Sequence, residues 1–463
     1  MTPTSPGTQP GTQAGTHCVI GAGFAGLGAA RALRDRGVDV DVVEARHDVG
    51  GNWLDGVYDS THLITSRAST GFAEHPMPAT LPDFPHWTDL LAYLRDYAER
   101  FDLRRHIAFD TEVTAVEPAG RADGTDGWLV TTQHAGRTAT RHYAGVVVAN
   151  GHHWDPFVPQ RPGHFTGRQL HVKDYKRPAD LHGERVLVVG GGVSGCDLAV
   201  EAARAVGHAD LSMRRSHHFL PKTLFGTPIT DLNNPWMPVA VQRLVTGSAL
   251  RLIHGPLTKY GLPEPEHRLF DEQVTIHSQV LYALRHGQVS PRPDIERFDG
   301  STVHFSDGTA ADYDTVIWAT GYAVSFPFLD DDLFTWEHGV PRRVLGMLPE
   351  QAAGLYVFGL MQLRGGAGPM LSRSAELLAD LVELQAGAPR PVARDLARLR
   401  PADARFYVSV PAMTRQVALE RAAVGALRRV QRVRGTQAPA ASAAVGAPTT
   451  VPRPAPLPAP VAG

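Results

Sequence analysis

Two glycine-rich loops of one type occur in this chain, Gly21-Ala22-Gly23-Phe24-Ala25-Gly26 and Gly190-Gly191-Gly192-Val193-Ser194-Gly195. Each follows a short apolar run, His17 to Ile20 and Arg185 to Val189, and opens an alanine-rich stretch with helical spacing. That strand-turn-helix context is what gives a G-x-G-x-x-G match its meaning as a dinucleotide-binding fingerprint. The glycines divide the work among a tight turn, close backbone approach to a pyrophosphate and close packing of helix on strand. The helix N-terminus offers free N–H groups to the phosphates. A chain with two such loops is expected to be α/β, with two dinucleotide-binding (Rossmann-like) domains.

Residues beyond the loops separate the two sites. After the first loop, Gly37 closes the helix and Val38 to Val43 reads as a second strand ending on Glu44. A carboxylate there accepts hydrogen bonds from a ribose 2′-hydroxyl. After the second loop the corresponding place holds Met213, then Arg214 and Arg215, with Lys222 downstream. An acid repels a 2′-phosphate and a guanidinium grips it, so the first site suits an adenosine with a free ribose and the second suits NADPH. The alternative is that Glu44 and the arginines are solvated surface charges.

Between the loops runs Phe165-x-Gly167-x-x-x-His171-x-x-x-Tyr175. This pattern resembles the identifying motif of the flavin-containing monooxygenases. The likeness continues through Lys176, Ser194-Gly195-Cys196-Asp197, Gly50-Gly51-Asn52-Trp53, Ala319-Thr320-Gly321-Tyr322 and Leu355 to Gln362. It implies a soluble enzyme that uses FAD and NADPH and resembles the N,N-dimethylaniline monooxygenases. FAD would be held by Gly21, Gly23, Phe24, Ala25, Gly26, Glu44, Gly51, Asn52, Trp53, Val113, Gly321 and Gln362. NADPH would be held by Gly190, Gly192, Val193, Ser194, Gly195, Arg214, Arg215 and Lys222. The related Baeyer–Villiger enzymes usually end the linker motif in Trp, so Tyr175 favours oxygenation of soft nucleophiles.

The order of elements implies that the NADPH domain is inserted into the FAD domain. The expected division is a disordered tail over 1–15, the first part of the FAD domain over 16–155, a proline-marked linker over 156–164, the NADPH domain over 165–311, the rest of the FAD domain over 312–435, and a disordered Pro/Ala-rich tail over 436–463. In this reading the strand from Asp314 to Gly321 rejoins the flavin sheet. Residues 223 to 290 are the least legible stretch, with no repeat and an apolar spacing that is helical only in part, from Val239 to Leu252.

A formal net charge of −2 gives no general reason to expect nucleic acid as a partner. Eleven arginines between Arg390 and Arg434 read as polar faces of closing helices. The two cysteines, Cys18 and Cys196, form no CxxC pair, which disfavours a disulfide framework or a flavin disulfide reductase. No apolar run approaches a membrane span, the N-terminus lacks the features of a signal peptide, and a cytoplasmic location is expected. No metal-ligand spacing stands out. The expected partners are a small-molecule substrate and O2, with a homodimer left open.

The resemblance implies chemistry carried by the cofactors: hydride passes from NADPH to FAD, and a C4a-hydroperoxyflavin gives one oxygen to nitrogen or sulfur. Baeyer–Villiger or oxidative-decarboxylating attack on a carbonyl is the alternative, as is uncoupled NADPH oxidation or flavin binding alone. His171 reads either as a base or as a hinge-side histidine. Arg364, beside Gly365 and Gly366, reads as a cation for the reduced flavin, as an anchor for an acidic substrate, or as an exposed loop arginine. Ile64 stands where the amine- and sulfide-oxygenating relatives commonly have Asn near the flavin, and Val193 where they often have Asn.

Overall fold

A computed structural model of the chain describes residues 15–232 and 237–437. The expected tails at 1–15 and 436–463 lie outside the described residues apart from Gly15, Thr436 and Gln437. Parallel strands covered on both faces read as continuous apolar runs rather than alternating ones. His17–Ile20, Gly145–Val148 and Val186–Val189 are such runs, buried at every position. They seed two five-stranded sheets.

The first sheet runs Leu355–Val357, Gly145–Val148, His17–Ile20, Val40–Val43 and Ile107–Ala108, every neighbour parallel. The second runs Arg168–His171, Thr315–Trp318, Val186–Val189, Ala209–Ser212 and Val289–Arg292, again all parallel. In each the central strand enters a glycine loop and then a helix, Phe24–Asp35 in one and Val193–Val206 in the other. An antiparallel sheet of Thr111–Pro118, Trp128–His134 and Arg137–Tyr143 flanks the first unit.

The expectation that Thr315–Trp318 rejoins the flavin sheet is corrected. That strand lies in the second sheet, between Arg168–His171 and Val186–Val189. The reason is steric. Gly190 has φ +122°, and a β-carbon there would stand 2.3 Å from the Ala319 carbonyl oxygen. Gly21 has φ +101°, and its β-carbon would stand 2.7 Å from the Ala149 carbonyl oxygen. Ala319-Thr320-Gly321 therefore does for the second loop what Ala149-Asn150-Gly151 does for the first. The second unit extends to Trp318 rather than stopping at 311, and the chain leaves it through Tyr322–Ala323, which pairs antiparallel with Asp155–Pro156. The two crossings thus run side by side. Gly163–Phe165 already pairs with the strand Ile295–Gly300, so the last residues of the expected linker at 156–164 belong to the second unit.

The long helices Gly368–Ala386 and Val410–Gln437 close the first unit over the helix Phe24–Asp35. Asp380 accepts Arg36 at 3.0 Å, Arg421 at 3.0 Å and Arg428 at 2.9 Å. Two of the C-terminal arginines thus turn inward to a buried carboxylate instead of forming only a solvent face. Among the described residues no helix is long and apolar enough to cross a membrane.

Two glycine substitutions should have opposite signs. Gly26→Ala would set a β-carbon 1.8 Å from the Gly21 carbonyl oxygen, and overpacking of this kind costs about 1–3 kcal/mol. Gly247, inside the helix Val239–His254, has open space where its β-carbon would lie, so Gly247→Ala should stabilise by about 0.5–1 kcal/mol. Urea denaturation midpoints check both.

Candidate functional site

Both loops leave their helix N-termini free of side-chain caps, at Gly23 and at Gly192. The first-turn N–H groups of a helix have no intrahelical partner, so each loop presents donors of the kind a pyrophosphate takes. A β-carbon on Gly192 would meet nothing within 4 Å, which leaves open space in front of the second loop. At the first loop Gly23 faces Gly51, whose α-carbon lies 3.4 Å from where a Gly23 β-carbon would be. Gly51 has φ 56° and starts the short helix Asn52–Asp55. Trp53 packs on the main core, and Phe24 stacks on Phe72 at 4.3 Å. Gly359 comes so close to the first helix that its β-carbon would stand 2.4 Å from that of Ala25. Val113 is buried in the core behind the sheet.

The charges at the two loops differ as expected. Glu44 is 5% exposed, and its carboxylate accepts the Ala22 N–H at 2.6 Å and the Arg46 N–H at 2.9 Å. The acid is thereby pinned to the loop it serves, with lone pairs left for a ribose. Across the second loop Arg215 is held by Glu272, with contacts of 2.7 and 3.1 Å. Arg214 is exposed and makes no hydrogen bond or ion pair among the described residues. Lys222 lies over the Phe84 ring at 5.7 Å, and its charge acts on Asp197. Of the two arginines, Arg214 is the one without a carboxylate partner among the described residues.

The motif residues between the loops form a joint. Phe165 sits in the core of the second unit, and a β-carbon on Gly167 would meet the Asp314 carbonyl oxygen at 2.6 Å. His171 is 4% exposed; its Nε2–H donates to the Gly321 carbonyl at 3.0 Å, and its Nδ1 accepts the Lys173 N–H at 3.2 Å. Burial pushes its pKa below the ordinary value. Gly321, with φ +87°, is the point at which the chain leaves the second unit. The Tyr175 hydroxyl donates to Glu201 at 2.7 Å, and Ser60 from the first unit donates to the same carboxylate. The ammonium of Lys176 bonds the Asp55 and Val57 carbonyls.

Beside this joint stands a cluster that sequence reasoning missed. The Tyr58 hydroxyl donates to Asp197 at 2.8 Å, and Asp197 meets His277 Nε2 at 2.9 Å. His277 Nδ1 accepts the Val280 N–H at 3.1 Å, so Nε2 carries the proton. These residues come from three separated segments, and only Asp197 lay in a quoted motif.

Ile64 and Arg364 are linked through one small apolar cluster. Ile64 packs on the small core of Leu220, Leu269, Val274 and Ile276, to which Phe270 also belongs. Arg364 stacks on Phe270 at 4.1 Å. It ends the strand Gln362–Arg364, which pairs with Tyr407–Ser409. The following glycine turn is pressed on Ser69 to Gly71, where a β-carbon on Gly366 would lie 2.0 Å from the Ser69 carbonyl oxygen. Arg364 is 8% exposed, which corrects the reading of an exposed loop arginine. The illegible region 223–290 supplies the other wall of this site. His171 lies apart, at the domain joint.

Known proteins are similar to this chain in sequence and in fold. Residues 15–382 match the family model described as flavin-binding monooxygenase-like. The chain is 31% identical over 376 residues to flavin-containing monooxygenase 5 of Rattus norvegicus, covering 76% of this chain and 70% of that protein. Among solved structures, S-allyl-L-cysteine S-oxygenase from Allium sativum is similar with a TM-score of 0.63 at 18% identity, covering 92% of this chain and 94% of that one. The open structure of cyclohexanone monooxygenase gives 0.63 at 18% identity, with 92% and 98% covered.

The joint makes a pH-dependent prediction. Burial alone would raise the Asp197 carboxyl, but the bonds from His277 and Tyr58 outweigh it and hold the group below its ordinary value. A depressed carboxyl stabilises fully above its unfolded pKa of about 3.9 and loses that contribution as pH falls through the folded value. Asp197→Asn should therefore be less stable than the parent at pH 7, with the gap closing below about pH 4. Urea midpoints from pH 7 to 3 test this; parallel curves would refute it.

Proposed function

The chain belongs to the flavin-binding monooxygenase-like family, and from that premise we propose that it transfers one atom of dioxygen to the nitrogen or sulfur of a small organic molecule. It is a flavin-dependent monooxygenase whose cofactors are FAD and NADPH. The observation that carries the reading is the charge contrast between two loops of one geometry. A buried acid, Glu44, follows the first, and an unpaired guanidinium, Arg214, follows the second.

FAD held at the first loop and reduced by NADPH held at the second would supply the chemistry that sends one oxygen atom of O2 to the substrate and releases the other as water. The chain's own residues bind, orient and exclude. The uncapped N–H groups after Gly21 and Gly190 take the two pyrophosphates, and Glu44 accepts the ribose hydroxyls of FAD. Arg214 grips the 2′-phosphate of NADPH, with Arg215 tethered beside it by Glu272. Both ring nitrogens of His171 are occupied by backbone groups, so it acts as a neutral pin at the hinge rather than as a base. Ile64 offers no hydrogen bond and keeps water from the reacting end of the site.

Two measurements test the assignment. Arg214→Ala should raise the KM for NADPH by the equivalent of about 1.5–3 kcal/mol, the scale of a hydrogen bond to a charged group, with little change for NADH. Equal losses with both coenzymes would place the phosphate elsewhere. NADPH oxidation by the holoenzyme should accelerate with amines or thioethers and yield N- or S-oxides in matching amounts. Turnover of ketones alone would favour carbonyl attack, and hydrogen peroxide as the sole product would make the protein an NADPH oxidase.

A further inference from the structure

Two arginines are deeply buried behind the late strands, and they are satisfied in different ways. Arg343 is 1% exposed, and its Nε, Nη1 and Nη2 donate to the carbonyls of Pro341, Leu360 and Arg405 at 3.1, 2.7 and 3.1 Å. Every nitrogen is used, so Arg343 is a structural clamp. Arg364 is 8% exposed and has only Nη2 engaged, by Gln242 Oε1 at 3.0 Å and Ser409 Oγ at 3.2 Å. Its Nε is buried without a partner. No carboxylate pairs with it among the described residues. Burial disfavours the charged guanidinium, Tyr407 offsets part of that, and a second cation, Arg243, adds to it.

A buried charge without a counter-charge is costly, and such groups are ordinarily paired. The surroundings of the guanidinium are of the kind that favours an anion. Arg364 lies where Phe270 covers its guanidinium face and where Ile64 shares the same apolar cluster. Gln242 and Ser409 add neutral polar edges. Apolar walls with a few convergent polar groups and one fixed cation suit a small organic acid.

We propose that Arg364 binds the carboxylate of the substrate, so that the molecules oxygenated are small amines or thioethers bearing an acid group. This rests on the soft-nucleophile reading above, and the test separates the two. Butanoate and butanamide, which have no oxidisable nitrogen or sulfur of the required kind, are titrated into oxidised holoenzyme while the flavin absorbance is followed. Butanoate should bind at least about tenfold more tightly than butanamide, the lower end expected for a charge-assisted bond. Arg364→Gln should abolish the difference, and Arg364→Lys should keep part of it. In turnover, 3-(methylthio)propanoate should show a lower KM than its amide, and Arg364→Gln should erase that preference.

Equal affinity for acid and amide in the parent protein would overturn the proposal, as would a preference that survives Arg364→Gln. A shift in the flavin reduction potential of Arg364→Gln, measured without any acid present, together with an unchanged acid preference, would assign the charge to the flavin and overturn it as well. If Arg364→Gln does not fold, Arg364→Lys and Ser409→Ala carry the comparison. Arg364-dependent binding of butanoate with no thioether or amine oxygenated would leave the carboxylate site standing and refute the soft-nucleophile reading.

Discussion

In each of the two parallel sheets, a carbonyl oxygen occupies the place a β-carbon would need. The Ala149 oxygen lies against Gly21 and the Ala319 oxygen against Gly190, while the Gly21 and Gly190 oxygens lie against Gly26 and Gly195. This clasp brings strand, loop and helix to contact distance with no side chain between them, so that the backbone itself forms the wall a pyrophosphate approaches. Glu44 and Arg214 each follow the strand that pairs with the loop-bearing strand of their own sheet.

The clasp also accounts for what could and could not be read in the sequence. The loops, and the places of Glu44 and Arg214 after the next strand of each sheet, were legible because the fingerprint sets residue types at fixed spacing. The strand Thr315–Trp318 was misplaced because a glycine at its tip is equally compatible with approach to either cofactor. The signal that decides it was present in the chain, since Ala149-Asn150-Gly151 and Ala319-Thr320-Gly321 repeat one pattern after one kind of strand. Reading them as equivalents puts each beside its own loop. The Tyr58–Asp197–His277 cluster had no such spacing, because residues brought together from three distant segments leave no periodic trace.

Burial was the other quantity the sequence withheld. Arg364 is followed at once by Gly365 and Gly366 and has the look of a loop residue, yet those glycines let the turn press onto Ser69 to Gly71, and the guanidinium lies inside. Asp380 likewise draws in Arg421 and Arg428, which sequence periodicity places on a polar face. A charged residue's exposure depends on where its counter-charge lies, and that is a tertiary fact.

The joint between the units completes the argument from geometry to function. NADPH must reach the flavin, and a two-unit enzyme achieves this by holding the units in register at a few points near the crossings. Among those points here are hydrogen bonds: Tyr175 and Ser60 share Glu201, Lys176 holds two carbonyls, and Tyr58 reaches Asp197. Each such bond contributes only about 0.5–3 kcal/mol net, so the joint fixes orientation without locking it. His171, pinned to the Gly321 carbonyl where the chain returns, ties the motif strand to the second crossing. A change at this joint would therefore act on the register of the two units while leaving the glycine loops themselves intact.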